Sequence, residues 1–289
     1  MTDATAPTWT IPTLRRYKAD IDHPPLVMVT AYDAPSARFA FDAGVDLILV
    51  GDSVGTTLLG YDSTVPVTLD EILHHLKAVR RGAPKAQIVA DLPFMTYQVS
   101  DEQAVTNAGR LMKEGGADSV KLEGGVRLAS RVRAIADAGI PVVGHIGLTP
   151  QTAGLLGGFK VQGQEIESAR ALLADADAVA TAGAIMLVIE VVPAAVATLI
   201  TERVSIPVIG IGAGPACDGQ VLVMHDLLGI EDRHAARFVK RYGNVAQTMR
   251  EGFAAFAQDV RERTYPQPEH GYKIKSSVLA DLQGDGGPA

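Results

Sequence analysis

The stretch Val45-Asp46-Leu47-Ile48-Leu49-Val50-Gly51-Asp52-Ser53-Val54-Gly55 decides how the rest of the chain is read. Its apolar run is too short for a helix and stops abruptly at a glycine, an acid, a hydroxyl and a second glycine. Such a run reads as a strand buried on both faces. The acid falls just past the strand's carboxyl end, where open α/β sheets and (β/α)8 barrels gather their ligands. The pattern returns at Gln87-Ile88-Val89-Ala90-Asp91, at Asp118-Ser119-Val120-Lys121-Leu122-Glu123 and at Ile185-Met186-Leu187-Val188-Ile189-Glu190. Four apolar strands each end in a carboxylate, and their common position predicts that these carboxylates converge.

Outward from these strands, the flanking sequence supplies helices. Leu26 to Ala31 reads as a first strand, followed by a helix over 34–43 that Gly44 stops. Thr68 and Glu71 form a capping box for a helix whose apolar face is Leu69, Ile72, Leu73 and Leu76. Ser100 and Gln103 open the next helix. Pro141 to Ile146 and Pro207 to Ile211 read as further strands, and Gln220 to Met224 as an eighth, with a helix from Ala235 to Arg261 beyond it. Strand and helix alternate about eight times at roughly 25–30 residues per unit, the arithmetic of a (β/α)8 TIM barrel. A doubly wound open sheet is the alternative, but the first strand lacks the Gly-x-Gly-x-x-Gly opening of a dinucleotide fold. The expectation is a single barrel domain over residues 1–289. It has a short N-terminal helix at about 10–19 and a flexible tail at about 272–289. The long, Gly-rich segment 147–164, which carries Lys160, lies at a strand-to-helix junction and is a lid candidate.

Composition narrows the function. A net charge of −7 argues against nucleic acid as a partner, because neutralising phosphates takes a basic face. One cysteine, Cys217, permits no intramolecular disulfide and fits a reducing compartment. The residues from Met1 to Trp9 lack the basic and apolar pattern of a signal peptide. The apolar window 183–200 holds Glu190 at its centre and Pro193 after it, which fits a buried strand and a following helix better than a membrane span. The expected location is the cytoplasm.

Asp52 and Asp91 can each be a simple helix cap. As a pair at one barrel mouth they need a cation, and oxygen ligands with water positions left open favour Mg2+ over zinc. Glu123 adds a third acid, as a direct ligand or through water. Lys121 points to the same side as Glu123, two residues on. Its counter-ion is either Glu123 or a substrate carboxylate. His145, near the end of its strand, is either a structural residue or a ligand contact. Glu190 ends a run of hydrophobes, and there it is either half of an internal salt bridge, with Lys121 a candidate partner, or a base. A desolvated carboxylate at that point takes a proton from carbon more readily.

Several long words in this sequence together resemble the ketopantoate hydroxymethyltransferase family. They are Val29-Thr30-Ala31-Tyr32-Asp33, Val50-Gly51-Asp52-Ser53, Gly60-Tyr61-Asp62-Ser63-Thr64-Val65-Pro66-Val67-Thr68, Ala90-Asp91-Leu92-Pro93-Phe94 and Val120-Lys121-Leu122-Glu123-Gly124-Gly125. Further along come Gly144-His145-Ile146-Gly147-Leu148-Thr149-Pro150-Gln151, Gly158-Phe159-Lys160-Val161-Gln162-Gly163 and Ile209-Gly210-Ile211-Gly212-Ala213-Gly214. The resemblance runs in order from about Leu26 to His270. It implies a barrel of the phosphoenolpyruvate/pyruvate superfamily type and a large homo-oligomer, commonly a decamer. It also implies the first committed reaction of pantothenate synthesis, in which 5,10-methylenetetrahydrofolate and 3-methyl-2-oxobutanoate give 2-dehydropantoate and tetrahydrofolate. By motif, Asp52 and Asp91 match metal ligands and Glu123 the further acid of the Mg2+ site. Ser53, Asp91 and Lys121 match substrate-binding positions, and Glu190 matches the proton acceptor. Two positions depart from the pattern: Gln164 stands where the family usually has Arg, and Gly271 where it usually has Ser.

The chemistry of the residues agrees with that implication. A 2-oxo acid chelates Mg2+ through its keto and carboxylate oxygens, which stabilises the enolate formed at C3. One competing reading is a C–C lyase or mutase on the same barrel. Such enzymes typically carry a catalytic cysteine on a mobile loop, whereas Cys217 follows the seventh strand. A second is a barrel that binds the 2-oxo acid without turning it over.

Overall fold

The computed structural model describes residues 9–19, 23–231 and 236–284. Residue contacts divide the chain into two units, Met1–Tyr242 and Gly243–Ala289. The first unit contains eight strands: β1 (Leu26–Thr30), β2 (Leu47–Val50), β3 (Gln87–Asp91), β4 (Ser119–Glu123), β5 (Val142–Gly147), β6 (Met186–Glu190), β7 (Val208–Ile211) and β8 (Gly219–Leu222). They pair in sequence order, all parallel, and β8 pairs back onto β1 with Leu26 opposite Gly219. That closure excludes the open sheet and confirms the barrel. Glycine is required at the seam, since a Cβ on Gly219 would lie 2.4 Å from the Leu26 carbonyl oxygen.

The helices follow their strands as the caps predicted. In chain order they are α1 (Ile11–Arg15), α2 (Ala34–Asp42), a short α3 (Val54–Thr57), α4 (Leu69–Gly82), α5 (Asp101–Lys113), α6 (Ala129–Asp137), α7 (Ile166–Thr181), α8 (Ala194–Arg203) and α9 (Met224–Leu228). The Thr68–Glu71 capping box forms in both directions, Glu71 N–H to Thr68 Oγ1 at 3.2 Å and Thr68 N–H to Glu71 Oε2 at 2.7 Å. Ser100 Oγ accepts the Gln103 N–H at 3.1 Å.

Strand alternation sorts the side chains into two layers. Ile48, Val50, Ile88, Ala90, Val120, Leu122, Val142, Ile146, Leu187, Ile189 and Val208 face outward and pack with the helices. Leu26, Met28, Leu47, Leu49, Val89, Val143, Met186, Val188, Ile209 and Val221 fill the interior. On β1 and on β3 to β6 the next inward positions toward the carboxyl end are no longer apolar. They are Thr30, Asp91, Lys121, Glu123, His145 and Glu190.

The opposite end of the barrel is plugged by the N-terminal segment. Trp9, Leu14 and Tyr17 join the interior cluster, and Trp9 Nε1–H donates to Asp46 Oδ1 at 2.7 Å. The other oxygen of Asp46 accepts the Val27 N–H at 2.8 Å. The acid that begins the opening strand stretch is therefore a bracket for the plug.

One expectation changes. The helix expected from Ala235 is found only from Val245, as α10 (Val245–Glu262); Ala235 itself lies outside the described residues, and 236–244 are not helical. The Tyr242 N–H is spent on the Leu227 carbonyl at 2.8 Å, and Gly243-Asn244 delays the start until Asn244 reaches the N-cap. The tail contains a further helix, α11 (Ser276–Gly284), and the residues beyond 284 lie outside the described part. Within the second unit Met249, Phe253, Phe256 and Val260 are exposed along one face of α10. Among the described residues, no helix is long and apolar enough to cross a membrane.

Because Trp9 is a large buried side chain far from the polar end, Trp9→Ala should lower unfolding free energy by about 3 kcal/mol. Urea denaturation followed by circular dichroism would read this as an earlier midpoint. An unchanged midpoint would show that the plug contributes nothing to the fold.

Candidate active site

The polar layer at the carboxyl end is built by register. Asp91 on β3 lies opposite Lys121 on β4, and Glu123 on β4 lies opposite His145 on β5. Gly147 on β5 lies opposite Glu190 on β6. The strands thus deliver carboxylate, ammonium, imidazole and carboxylate side by side into one small space. Asp52 enters the same space from the turn after β2. The resulting cavity measures about 100 Å3 and is lined among others by Asp52, Ser53, Asp91, Lys121, Glu123, His145 and Glu190. All the residues singled out in the sequence are brought together.

Lys121 Nζ lies 3.0 Å from Asp91 Oδ1, with both side chains almost wholly buried. The counter-ion of Lys121 in this structure is therefore Asp91, across the register, and not Glu123 on its own strand. Asp91 Oδ2 accepts the Asp52 N–H at 3.0 Å, which draws the turn after β2 against β3. His145 stands between the two glutamates: Nδ1 is 3.4 Å from Glu123 Oε1 and Nε2 is 3.2 Å from Glu190 Oε2. Neither contact has the alignment of a full hydrogen bond, and Glu123 Oε1 and His145 Nε2 are buried without a hydrogen-bond partner. Glu190 meets His145 rather than Lys121. Ser53 Oγ is held by the Tyr32 hydroxyl at 2.8 Å.

Electrostatics follows from crowding. Burial, then the neighbouring charges of Asp91 and Glu123, push the Asp52 carboxyl well above the usual carboxylate range. Burial raises Asp91 as well, and Lys121 pulls it part of the way back. Lys121 loses hydration by burial, yet Asp91, Glu123 and Asp52 together raise its affinity for the proton. Burial and Lys121 both disfavour the imidazolium of His145, but Glu123 and Glu190 outweigh them and bring it up to about 9. Four carboxylates thus share this mouth with one lysine and one histidine.

An orphaned buried carboxylate oxygen and an excess of negative charge fit a bound cation. Among the described residues no three His, Cys, Asp or Glu side chains form a ready-made cage for one. A magnesium site does not require that, since Mg2+ keeps several waters and uses one or two carboxylates plus substrate oxygens.

Sequence reasoning assigned no role to two further residues, Tyr97 and Gln151. Gln151 sits in the short 3-10 turn Pro150–Thr152 after β5 and is buried. Its Nε2 donates to Asp52 Oδ2 at 2.8 Å and to the Leu92 carbonyl at 3.0 Å. Its backbone N–H donates to Glu123 Oε2 at 3.0 Å. The Tyr97 hydroxyl donates to Gln151 Oε1 at 2.7 Å and accepts the Glu123 N–H at 3.1 Å. Both residues lie in loops, where periodicity gives no signal; the only trace of Gln151 was its place at the end of a recognisable word.

The chain continues from Gln151 through 153–164 to a second attachment beside Glu190. Gln162 N–H donates to the Val191 carbonyl at 2.9 Å. Val191 has φ +50, a left-handed backbone that is strained for a β-branched residue by of order 1–3 kcal/mol. Cys217 does not line the cavity, and burial pushes its thiol up.

Comparison with known proteins places this arrangement. A sequence profile described as Ketopantoate hydroxymethyltransferase matches residues 8–268. The chain is 53% identical over 254 residues to a protein of Carboxydothermus hydrogenoformans named 3-methyl-2-oxobutanoate hydroxymethyltransferase, covering 88% of this chain and 92% of that one. It is 56% identical over 253 residues to a protein of the same name from Heliobacterium modesticaldum, with the same coverage of 88% and 92%. Among solved structures, phosphonopyruvate hydrolase in complex with oxalate and Mg2+ superposes with a TM-score of 0.57 at 15% identity, covering 95% of each chain. A 2,3-dimethylmalate lyase, a member of the PEP mutase/isocitrate lyase superfamily, gives 0.54 at 16% identity, covering 95% and 94%. These two likenesses concern the fold alone and agree with the barrel expected from the sequence. The profile match and the two relatives show that the chain belongs to the ketopantoate hydroxymethyltransferase family.

Proposed function

We propose that this chain transfers a hydroxymethyl group from 5,10-methylenetetrahydrofolate to 3-methyl-2-oxobutanoate, giving 2-dehydropantoate, the first committed step of pantothenate synthesis. What supports the reading is the gathering of Asp52, Asp91, Lys121, Glu123, His145 and Glu190 around one small cavity in a member of this family. The cavity suits a compact acid and is far too small for folate, so the co-substrate has to approach from the open side of the mouth.

In this reading Asp52 and Asp91 hold a divalent ion, with Glu123 as a direct or water-linked third acid. When bound, Mg2+ supplies Lewis-acid stabilisation of the negative charge that develops on the 2-oxo acid. Lys121 offers its ammonium to the substrate carboxylate while remaining paired with Asp91. Ser53, steadied by Tyr32, and His145 complete the substrate's surroundings. Glu190 takes the proton from C3. The new carbon–carbon bond then forms between C3 and the methylene carbon as the two carbon–nitrogen bonds of the folate break. Water supplies the hydroxyl oxygen, and the proton from water and the one from C3 end on the two folate nitrogens. Burial of the charged groups strengthens each electrostatic contact relative to water.

The exposed apolar face of α10, with Phe253 and Phe256 at its middle, supports self-association, and the resemblance to the family extends that reading to a homodecamer.

Three measurements check these assignments. Glu190→Gln should slow exchange of solvent deuterium into C3 of 3-methyl-2-oxobutanoate by about 100-fold or more, whereas a wild-type rate removes Glu190 from the role of base. Chelation with EDTA should stop formation of 2-dehydropantoate and added Mg2+ should restore it; full activity in chelator rejects the metal. Sedimentation should give a mass about ten times that of the 30.4 kDa chain, and a monomer would reject the decamer.

A further inference from the structure

Gln151 touches two of the three acids proposed to hold the metal, occupying one oxygen of each. Its side-chain amide occupies one oxygen of Asp52, Oδ2, at 2.8 Å. Its backbone N–H occupies one oxygen of Glu123, Oε2, at 3.0 Å. The oxygen of each carboxylate that Gln151 does not engage is Oδ1 on Asp52 and Oε1 on Glu123. The latter is buried and has no hydrogen-bond partner.

The orientation of the Gln151 amide is fixed by its neighbours. Reversing it would place Oε1 against the Asp52 carboxylate and the Leu92 carbonyl, acceptor against acceptor. In the observed orientation Nε2 uses both its hydrogens, on Asp52 and on Leu92, and Oε1 receives the Tyr97 hydroxyl at 2.7 Å. Tyr97 also accepts the Glu123 backbone N–H at 3.1 Å, so the same hydroxyl anchors the acid and the amide. A buried glutamine that contacts a residue 99 positions away, with every polar atom of its side chain satisfied, is a specific device.

The consequence is one of denticity. Ca2+ accepts six to eight oxygens in flexible geometry and readily takes a carboxylate through both oxygens; Mg2+ demands near-ideal octahedral geometry with shorter bonds. A carboxylate with one oxygen already hydrogen-bonded presents the single oxygen that the smaller ion requires.

We propose that Gln151 is a positioning residue which, backed by Tyr97, ties off one oxygen on each of Asp52 and Glu123 and so makes the site select Mg2+ over Ca2+. The proposal rests on the metal reading given under the proposed function and deepens it. Gln151 does not touch the reacting atoms in this role; it acts through the two acids.

The test uses the full-length chain without substrate. Mg2+ and Ca2+ affinities are measured by calorimetry, and Mn2+ binding by electron paramagnetic resonance, for the wild type, Gln151→Met, Tyr97→Phe and Asp52→Asn. Gln151→Met keeps side-chain bulk while removing the amide, and Tyr97→Phe removes only the hydroxyl behind it; thermal unfolding confirms that each is folded. The expected result is a loss of Mg2+ affinity of about 10–100-fold in Gln151→Met, with a smaller loss for Ca2+. Tyr97→Phe should move selectivity in the same direction. In a separate assay with 3-methyl-2-oxobutanoate added, deuterium exchange at C3 should recover toward the wild-type rate when Mg2+ is raised to saturation, which a damaged fold would not allow. Wild-type Mg2+ affinity and Mg2+-to-Ca2+ ratio in both folded variants would overturn the proposal. If the wild type binds metal and Asp52→Asn does not, that failure belongs to Gln151 alone. A wild type that takes up none of the three ions would overturn the metal reading and this proposal with it.

Discussion

The structure depends on concentrating negative charge where water is scarce. A closed parallel barrel gives its interior only inward-facing side chains, so every second residue of each strand must either fill the core or line the mouth. On β3, β4, β5 and β6 the switch from one task to the other comes within two residues: Val89 to Asp91, Ser119 to Lys121, Val143 to His145, Val188 to Glu190. The apolar layer beneath is closed from below by Trp9 and Tyr17. The acids above it therefore face low-dielectric material on one side and solvent only through the opening. Lys121 and His145 offset part of this charge, and burial with the neighbouring acids raises the proton affinity of Asp52.

Such an arrangement is poor for stability. Burying an ion pair such as Lys121–Asp91 recovers little beyond its desolvation cost, and removing either partner leaves a stranded charge. The hydrophobic layers, not the polar mouth, hold the barrel together. That division lets the mouth be built for binding, with a Glu123 oxygen and the His145 Nε2 left without hydrogen-bond partners, which a purely structural core would not keep.

Most of this was readable in the linear chain because β-strand alternation is a two-residue rule. Once the strand ending in Asp52 and the strands holding Asp91, Glu123 and Glu190 were recognised, closure of the sheet forced their carboxylates together. Partnership was not readable. Lys121 and Glu123 share a strand and a face, yet the ammonium pairs across the register with Asp91, because neighbouring strands bring side chains closer than two residues along one strand. The eighth strand was legible from its apolar run, but the helix after it was not. Its start depends on where Tyr242 spends its backbone N–H, a tertiary fact. Tyr97 and Gln151 were invisible as partners for the same reason. They act from loops, and their bonds cross 26 to 99 residues of chain.

The same segment that begins with Gln151 also reaches the other side of the mouth, and this links the two halves of the proposed chemistry. At its start, Gln151 holds Asp52 and Glu123; near its end, Gln162 binds the carbonyl of Val191, the residue after Glu190. Both polar groups of the left-handed Val191 are engaged, its N–H by the Ile211 carbonyl at 2.8 Å and its carbonyl by the Gln162 N–H at 2.9 Å. Releasing Gln162 would remove one of those two restraints from a strained residue adjoining the proposed base. The segment lies between the acids proposed to hold the metal and the carboxylate proposed to take the proton, with His145 bridging the same two groups beneath it. A displacement of 153–164 is therefore felt at both ends.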